Sequence, residues 1–283
     1  MANNIYAPPR TVTDITDCHF YHTIDLPSYG EIRGEWDLRA GVDAYLGNID
    51  LASKRLLEAG TASGFLCFEM EKRGAEVVGY DLSAKEDWDI IPYGGKNDPD
   101  FKRSRKELID MINNAWWFTH AILGSHARMV YGSIYEIPEA IGPVQVSPFG
   151  SILLHLRDPF LALQKAANLT TETMIVTEVL PIYLRIPLSS VFWKFLAKLH
   201  PKFESYFTPL LNFMPDPEEG APSETWWNLS PSIVCRFLKI LGFTQLSLNY
   251  HNQIHYHGPE LEYKRVRSMY TVVGSRPHPR LDL

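Results

Sequence analysis

The stretch 54–81 reads KRLLEAGTASGFLCFEMEKRGAEVVGYD, and it decides the fold. KRLLE is a short apolar strand that reaches an acidic residue, Glu58. AGTASG follows, and then FLCFEMEKRG, in which Phe65 and Phe68 are i,i+3 and Leu66 and Met70 are i,i+4, as a buried helix face requires. Gly74 stands where a helix stops. EVVGYD is a second short strand that ends on Asp81. Strand, helix and strand within about 30 residues is the size of a βαβ crossover.

The same alternation runs outward from this unit. Residues 100–123 read as a long helix, ARMVY as a strand, YEIPEAIG as a short helix or turn, and VQVSPFG as a strand. DPFLALQKAANL is the next helix and TMIVTEV the next strand. The alternation predicts a parallel α/β sheet with helices on both faces. Residues 180–228 break the rhythm with aromatics and prolines, as a functional lid or insertion does. Ser230 and Pro231 restart it as an N-cap and first helical residue, and Gly242 ends that helix. FTQLSLNY and SMYTVVGS complete seven strands, the last two forming an antiparallel hairpin at the end of the sheet. The first 40 residues are turn-rich and aromatic. The expected organisation is a cover segment over 1–50 and a domain over 51–283, with 180–228 as an inserted lid after the fifth strand.

Composition narrows the class. The chain has 283 residues, 45% hydrophobic and 21% charged, which excludes disordered and fibrous classes. A net charge of −6 argues against non-specific binding to nucleic acid, which needs a positive face. Cys18, Cys67 and Cys235 lie far apart with no metal-ligand spacing, and read as reduced thiols. The start, MANNIYAPPR, has no apolar signal region, and no run of about 18 apolar residues exists, so a cytoplasmic protein without membrane spans is expected.

The glycine loop, Glu58 to Gly64, sits at the carboxyl end of the first strand, where open α/β sheets bind ligands. Gly60 allows the tight turn, Thr61 follows it, and Gly64 lets the helix start lie close to the strand. A carboxylate at Asp81 can accept hydrogen bonds from both hydroxyls of a ribose. A dinucleotide fingerprint needs glycine where Ala62 stands, and a P-loop needs Lys-Ser or Lys-Thr where Phe65 and Leu66 stand. Glu58 suits an ammonium group better than a phosphate. Ribose plus ammonium without pyrophosphate describes S-adenosyl-L-methionine.

At these residues the chain resembles class I S-adenosylmethionine-dependent methyltransferases. YHTIDLPSYG, EWDLRAG, LLEAGTASGFLCFEMEKRGAEVVGYDLS and SILLHLRDPF are similar to the group related to the tRNA wobble-uridine carboxymethyltransferase family. The resemblance covers roughly residues 20–275, least over 180–225. It implies a Rossmann-like seven-stranded methyltransferase sheet with plain S-adenosylmethionine as cofactor. It further implies that Glu58, Gly60 and Gly64 form the cofactor loop and that Asp81 holds the ribose. Ser133 and Ile134 would flank the adenine, Phe149 and Gly150 would lie near the methionine part, and Trp36 and Arg39 would contact the cofactor from the N-terminal side. Gln145 replaces an Asp usual in relatives at the start of the fourth strand, with a structural effect only.

His155, after the fourth strand, is the candidate general base, since an imidazole with an ordinary pKa near 6.5 suits that role. It could equally order its loop through a backbone bond. Tyr21 and His22, with Asp25, lie in a segment that could cover the site. His251, His255 and His257 lack the further ligands a metal needs. Tyr183, Phe192, Trp193, Phe195, Phe203, Tyr206, Phe207 and Phe213, then Trp226 and Trp227, read either as an apolar lid over a substrate or as a satellite core or dimer contact. The run Lys102 to Lys106 reads as a solvated helix face. The expected function is methyl transfer to a small, apolar or aromatic molecule. The alternatives are modification of the tRNA wobble uridine and a non-catalytic cofactor-binding partner, with a homodimer possible in any of them.

Overall fold

The computed structural model describes residues 5–93, 98–181, 209–218 and 224–280. Arg55–Ala59 (β4) and Glu76–Asp81 (β5) pair in parallel, with Leu57 opposite Val78, and Phe65–Lys72 (α2) crosses between them. Both faces of these strands are covered, so they read as continuous apolar runs rather than alternating ones. Leu56 and Val77 face one buried cluster, shared with Phe68, Met70 and Trp116; Leu57 and Val78 face the other, shared with Leu163, Val234 and Leu238. Pro99–Leu123 (α3) closes the first face. Pro159–Leu169 (α4) and Pro231–Ile240 (α5) close the second.

The central sheet adds Arg128–Tyr131 (β6), Val144–Gly150 (β7), Thr170–Val179 (β8), Gln245–His257 (β11) and Tyr263–Ser275 (β12). A two-residue strand from the N-terminal segment, Trp36–Asp37 (β3), completes it, and the short helix Val42–Tyr45 (α1) follows. Ile24–Leu26 (β1) with Gly30–Ile32 (β2), and Leu211–Phe213 (β9) with Trp227–Leu229 (β10), are separate hairpins. The order across the sheet is β3-β11-β12-β8-β7-β4-β5-β6. This is a Rossmann-like α/β fold. Strands β4 to β8 are parallel, and β12 runs antiparallel between β8 and β11. The chain winds from β4 towards β6, then returns to place β7 on β4's other side. That reversal opens a crevice at the carboxyl ends of β4 and β7.

The helix signals hold at the predicted places. Asp158 accepts from the Leu161 N–H at 2.9 Å, and Ser230 from the Ile233 N–H, each with proline at the first helical position. Gln145 accepts the Arg55 N–H at 2.8 Å, tying the starts of β7 and β4 far from the crevice. The sheet has eight strands among the described residues instead of the expected seven, because β3 pairs with Ile254 and His255 at the edge. Residues 182–208 and 219–223 of the expected lid, with Tyr183, Phe192, Trp193, Phe195, Phe203, Tyr206 and Phe207, lie outside the described residues. Among the described residues no helix is long and apolar enough to cross a membrane.

Gly64 takes φ +90°, and a Cβ there would lie 2.5 Å from Phe68 and 2.6 Å from Trp116. Gly64→Ala is therefore expected to lose about 1–3 kcal/mol of stability, from strained backbone and an overfilled core. Urea denaturation of the two proteins measures this, and an unchanged midpoint would contradict the packing described.

Candidate active site

The crevice holds a cavity of about 490 Å³. Gly60 and Ala62 from the glycine loop, Asp81 and Leu82 after β5, Ser133 and Ile134 after β6, and Gly150 at the end of β7 all line it. The N-terminal segment supplies His19, Tyr21, His22 and Glu35; α3 supplies Arg105, Leu108, Ile109 and Ile112. Trp88, Asp89, Tyr135, His155, Leu156 and Glu224 line it as well.

The loop's backbone is fixed by necessity at Gly60. It takes φ +76°, and a Cβ there would lie 2.5 Å from Ile152 Cδ1. Ala62 also takes a left-handed φ, +48°, and its N–H donates to Asp81 Oδ2 at 2.6 Å. The Leu82 N–H donates to Asp81 Oδ1 at 2.7 Å. Both oxygens keep a free lone pair, so the carboxylate is oriented by backbone and can still accept from a ligand. Burial pushes its pKa up to about 6, with the two N–H donors working against that rise.

Glu58 does not line the cavity. Its carboxyl is buried beneath the loop beside Thr61 and Cys67, and burial pushes it up to about 8. The expected contact with a ligand ammonium is replaced by a neutral acid under the turn, because β4 is an interior strand with both faces covered. Thr61 and Phe149 are likewise core residues. Glu178, buried on β8, accepts the Leu153 N–H at 2.8 Å and is also pushed up to about 8 by burial.

Trp36 and Arg39 do not reach the cavity either. The Arg39 guanidinium donates to Asp25, Glu31 and Asp37, each at 2.8 Å, which occupies it within the N-terminal segment. The Trp36 N–H donates to the Tyr21 carbonyl at 3.1 Å, and its ring packs on His255 with centroids 4.6 Å apart. Both residues thus hold the segment that carries Tyr21 and His22. Burial pulls His22 down to about 4 and pushes Tyr21 up to about 12.

His155 stands 2.8 Å through Nδ1 from the Glu224 carbonyl. A carbonyl only accepts, so Nδ1 carries the proton and Nε2 keeps its lone pair. Burial, reinforced by Arg105, pulls the pKa down to about 4, so the ring is neutral near pH 7. Trp226 and Trp227 fasten the segment that brings Glu224 here, without lining the cavity. Trp226 Nε1 donates to the Asp89 carbonyl at 2.7 Å and Trp227 Nε1 to the Arg157 carbonyl at 3.3 Å.

Arg105 corrects the expected solvated helix face. Its guanidinium turns into the cavity, pairs with Glu224, and lies over Phe101 and Trp88. Its signal was in the sequence, since it shares a helical stripe with Phe101, Leu108, Ile109 and Ile112. Glu35, Trp88, Asp89, Tyr135 and Glu224 carried no such signal. Among the described residues, the lining holds five carboxylates, Glu35, Asp81, Asp87, Asp89 and Glu224, against Arg105 as the one Arg or Lys, so it favours a ligand with positive charge.

No protein-family model matches the chain, and no curated protein matches it. Among solved structures, a magnesium protoporphyrin IX methyltransferase from Synechocystis with bound S-adenosylhomocysteine is 13% identical, over 83% of this chain and 81% of its own, with a TM-score of 0.45. The YcgJ protein from Bacillus subtilis is 11% identical over 83% and 97%, with a TM-score of 0.49. An arsenic(III) S-adenosylmethionine methyltransferase from Chlamydomonas reinhardtii is 17% identical over 83% and 74%, with a TM-score of 0.43.

The buried acids set a pH dependence of stability. Glu58 and Glu178 bind a proton in the folded chain up to about pH 8, but in the unfolded chain only up to about 4.5. The folded state holds more protons in between, so stability falls as pH rises. His22, His155 and His251, pulled down to about 4 from 6.5, act in the opposite sense below 6.5. Between pH 7 and 8 these acids dominate, and stability should drop by more than about 1 kcal/mol. Urea titrations at several pH values measure it, and Glu58→Gln should flatten the slope.

Proposed function

We propose that this chain is an S-adenosylmethionine-dependent methyltransferase acting on a small, apolar or aromatic molecule. The observation that carries the reading is Asp81, held by the Ala62 and Leu82 N–H groups at the edge of a carboxylate-rich cavity. The residues fit this cofactor. Asp81 would take the ribose hydroxyls, Ser133 and Ile134 would flank the adenine, and Gly60 and Gly150 leave room for the methionine part. The surplus of negative charge suits a ligand carrying ammonium and sulfonium groups. When bound, the cofactor supplies an electrophilic methyl group.

The remaining work falls to the chain's own side chains. His155 presents an unprotonated Nε2 that can take the acceptor's proton. So weakly basic a ring takes a proton only as the acceptor's electrons leave for the new bond, and alignment supplies most of the rate. Tyr21 and His22, from the 1–50 cover, wall the cavity, and Trp226 and Trp227 fasten the segment that brings Glu224 to it. The tRNA wobble-uridine reading has less support. Arg105 leaves the basic run for the cavity, Arg103 pairs with Asp100, and Lys106 lies 3.3 Å from Asp87. A non-catalytic binding role is separated from both by turnover.

Calorimetry should show S-adenosylhomocysteine binding in the low micromolar range, a common scale for cofactors. Binding of NAD in its place would overturn the reading. Asp81→Ala should weaken that affinity by about 1.5–3 kcal/mol, roughly ten- to a hundred-fold. Glu172→Ala should leave it unchanged, because Glu172 pairs with Lys54 at 2.6 Å, away from the cavity lining.

The ribose contact needs the ionised Asp81. Affinity should therefore fall by about ten-fold per pH unit below about 6 in the wild type, and stay flat in Asp81→Asn. Once an acceptor is known, His155→Gln should lower kcat far more than it raises KM. A KM effect alone would reassign His155 to binding.

A further inference from the structure

We infer that Arg105 receives a carboxylate of the methyl acceptor, in the place that the Glu224 side chain occupies in this structure. The inference rests on the methyltransferase reading and names the substrate class for it, an aromatic carboxylic acid.

Among the described residues that line the cavity, Arg105 is the one Arg or Lys. Glu224 is not its only support. The guanidinium lies 5.0 Å from the Phe101 ring centroid, one turn back on α3, and 5.7 Å from that of Trp88. Two aromatic faces thus hold a preformed, partly desolvated guanidinium, the group best suited to grip a carboxylate with two parallel N–H donors.

Three of the other four carboxylates of the lining have donors of their own. Asp81 accepts from two backbone N–H groups. Asp89 accepts from the Tyr135 hydroxyl and the Arg157 N–H. Asp87 lies 3.3 Å from Lys106, whereas Glu35 lies 3.4 Å from His19 without a hydrogen bond. Glu224 alone spends its carboxylate on Arg105.

Glu224 also sets the scale of the molecule that would replace its side chain. Its carbonyl holds His155 Nδ1 while its carboxylate meets Arg105, so the anion grip and the proton acceptor sit at two ends of a single residue. A ligand carboxylate can displace the side chain and leave the carbonyl on His155. The space beside the pair is walled by Trp88, Leu108, Ile112 and Leu156. A flat ring with a carboxylate on one side and a hydroxyl or amine on the other satisfies all of these. The acceptor proton then faces Nε2 of His155.

The test is calorimetry with protein saturated in S-adenosylhomocysteine. The probes are 3- and 4-hydroxybenzoate, 3- and 4-aminobenzoate, and the matching benzamides. At least one acid should bind the wild type about ten-fold or more tighter than its amide. Glu224→Gln should tighten that acid several-fold by removing the competitor. Arg105→Met should reduce the acid to the level of the amide, and Arg105→Lys should recover part of the difference. Melting curves check that each variant is folded.

If no acid outbinds its amide, the inference fails. It fails too if Arg105→Met weakens S-adenosylhomocysteine as much as the acid, since Arg105 would then belong to the cofactor. Absence of S-adenosylhomocysteine binding instead brings down the methyltransferase reading itself, so the two failures are told apart.

Discussion

A single hydrogen bond, from the Ala62 N–H to Asp81 Oδ2 at 2.6 Å, joins the turn after β4 to the end of β5. It needs three things at once. β4 and β5 must be in parallel register, which sets Ala59 beside Tyr80 and lets the Gly60 N–H donate to the Tyr80 carbonyl at 2.8 Å. The loop must turn left-handed at Gly60, Ala62 and Gly64. The start of α2 must lie close to Trp116, which only glycine at 64 permits. Once these hold, the carboxylate is aimed without any help from a ligand, and the crevice has its polar floor.

Electrostatics divides the labour between two sets of acids. Glu58 and Glu178 are buried away from the cavity and kept neutral by the cost of charging them there, so they act as hydrogen-bonding and packing groups. The acids that line the cavity are partly wet or are tied to donors, and they give the site its negative field. Arg39 is a cation excluded from that field by three carboxylates of its own segment. Arg105 is a cation admitted to it, at the end where aromatic side chains replace water around the charge.

The regular elements were legible because their signals are local. Period, caps and glycine stops named every strand from β4 to β8 and each long helix, and the Gly60–Asp81 unit located the crevice. What escaped reading depends on tertiary geometry. β3 is two residues long and exists only because Ile254 and His255 offer an edge. Glu58 looked like a ligand contact from its place before the glycines, yet the direction of its side chain follows from which face of β4 is covered. Arg105 hid inside a charged run whose other members face solvent or pair locally. Glu224 could not be found by motif at all, since it reaches His155 through a carbonyl that any residue type would supply.

The antiparallel insertion of β12 has a consequence for how the chain assembles during synthesis. The 13-residue strand Tyr263–Ser275 leaves the ribosome after its two neighbours, yet it lies between them. Until it arrives, β8 and β11 both present open edges, and β11 has only β3 beside it in the sheet. The nascent chain must therefore keep a gap in its main sheet until β12 is made, a state that invites edge-to-edge pairing between neighbouring chains. Truncation before β12 would freeze that gap open, which makes this late strand the quality-control point of the fold.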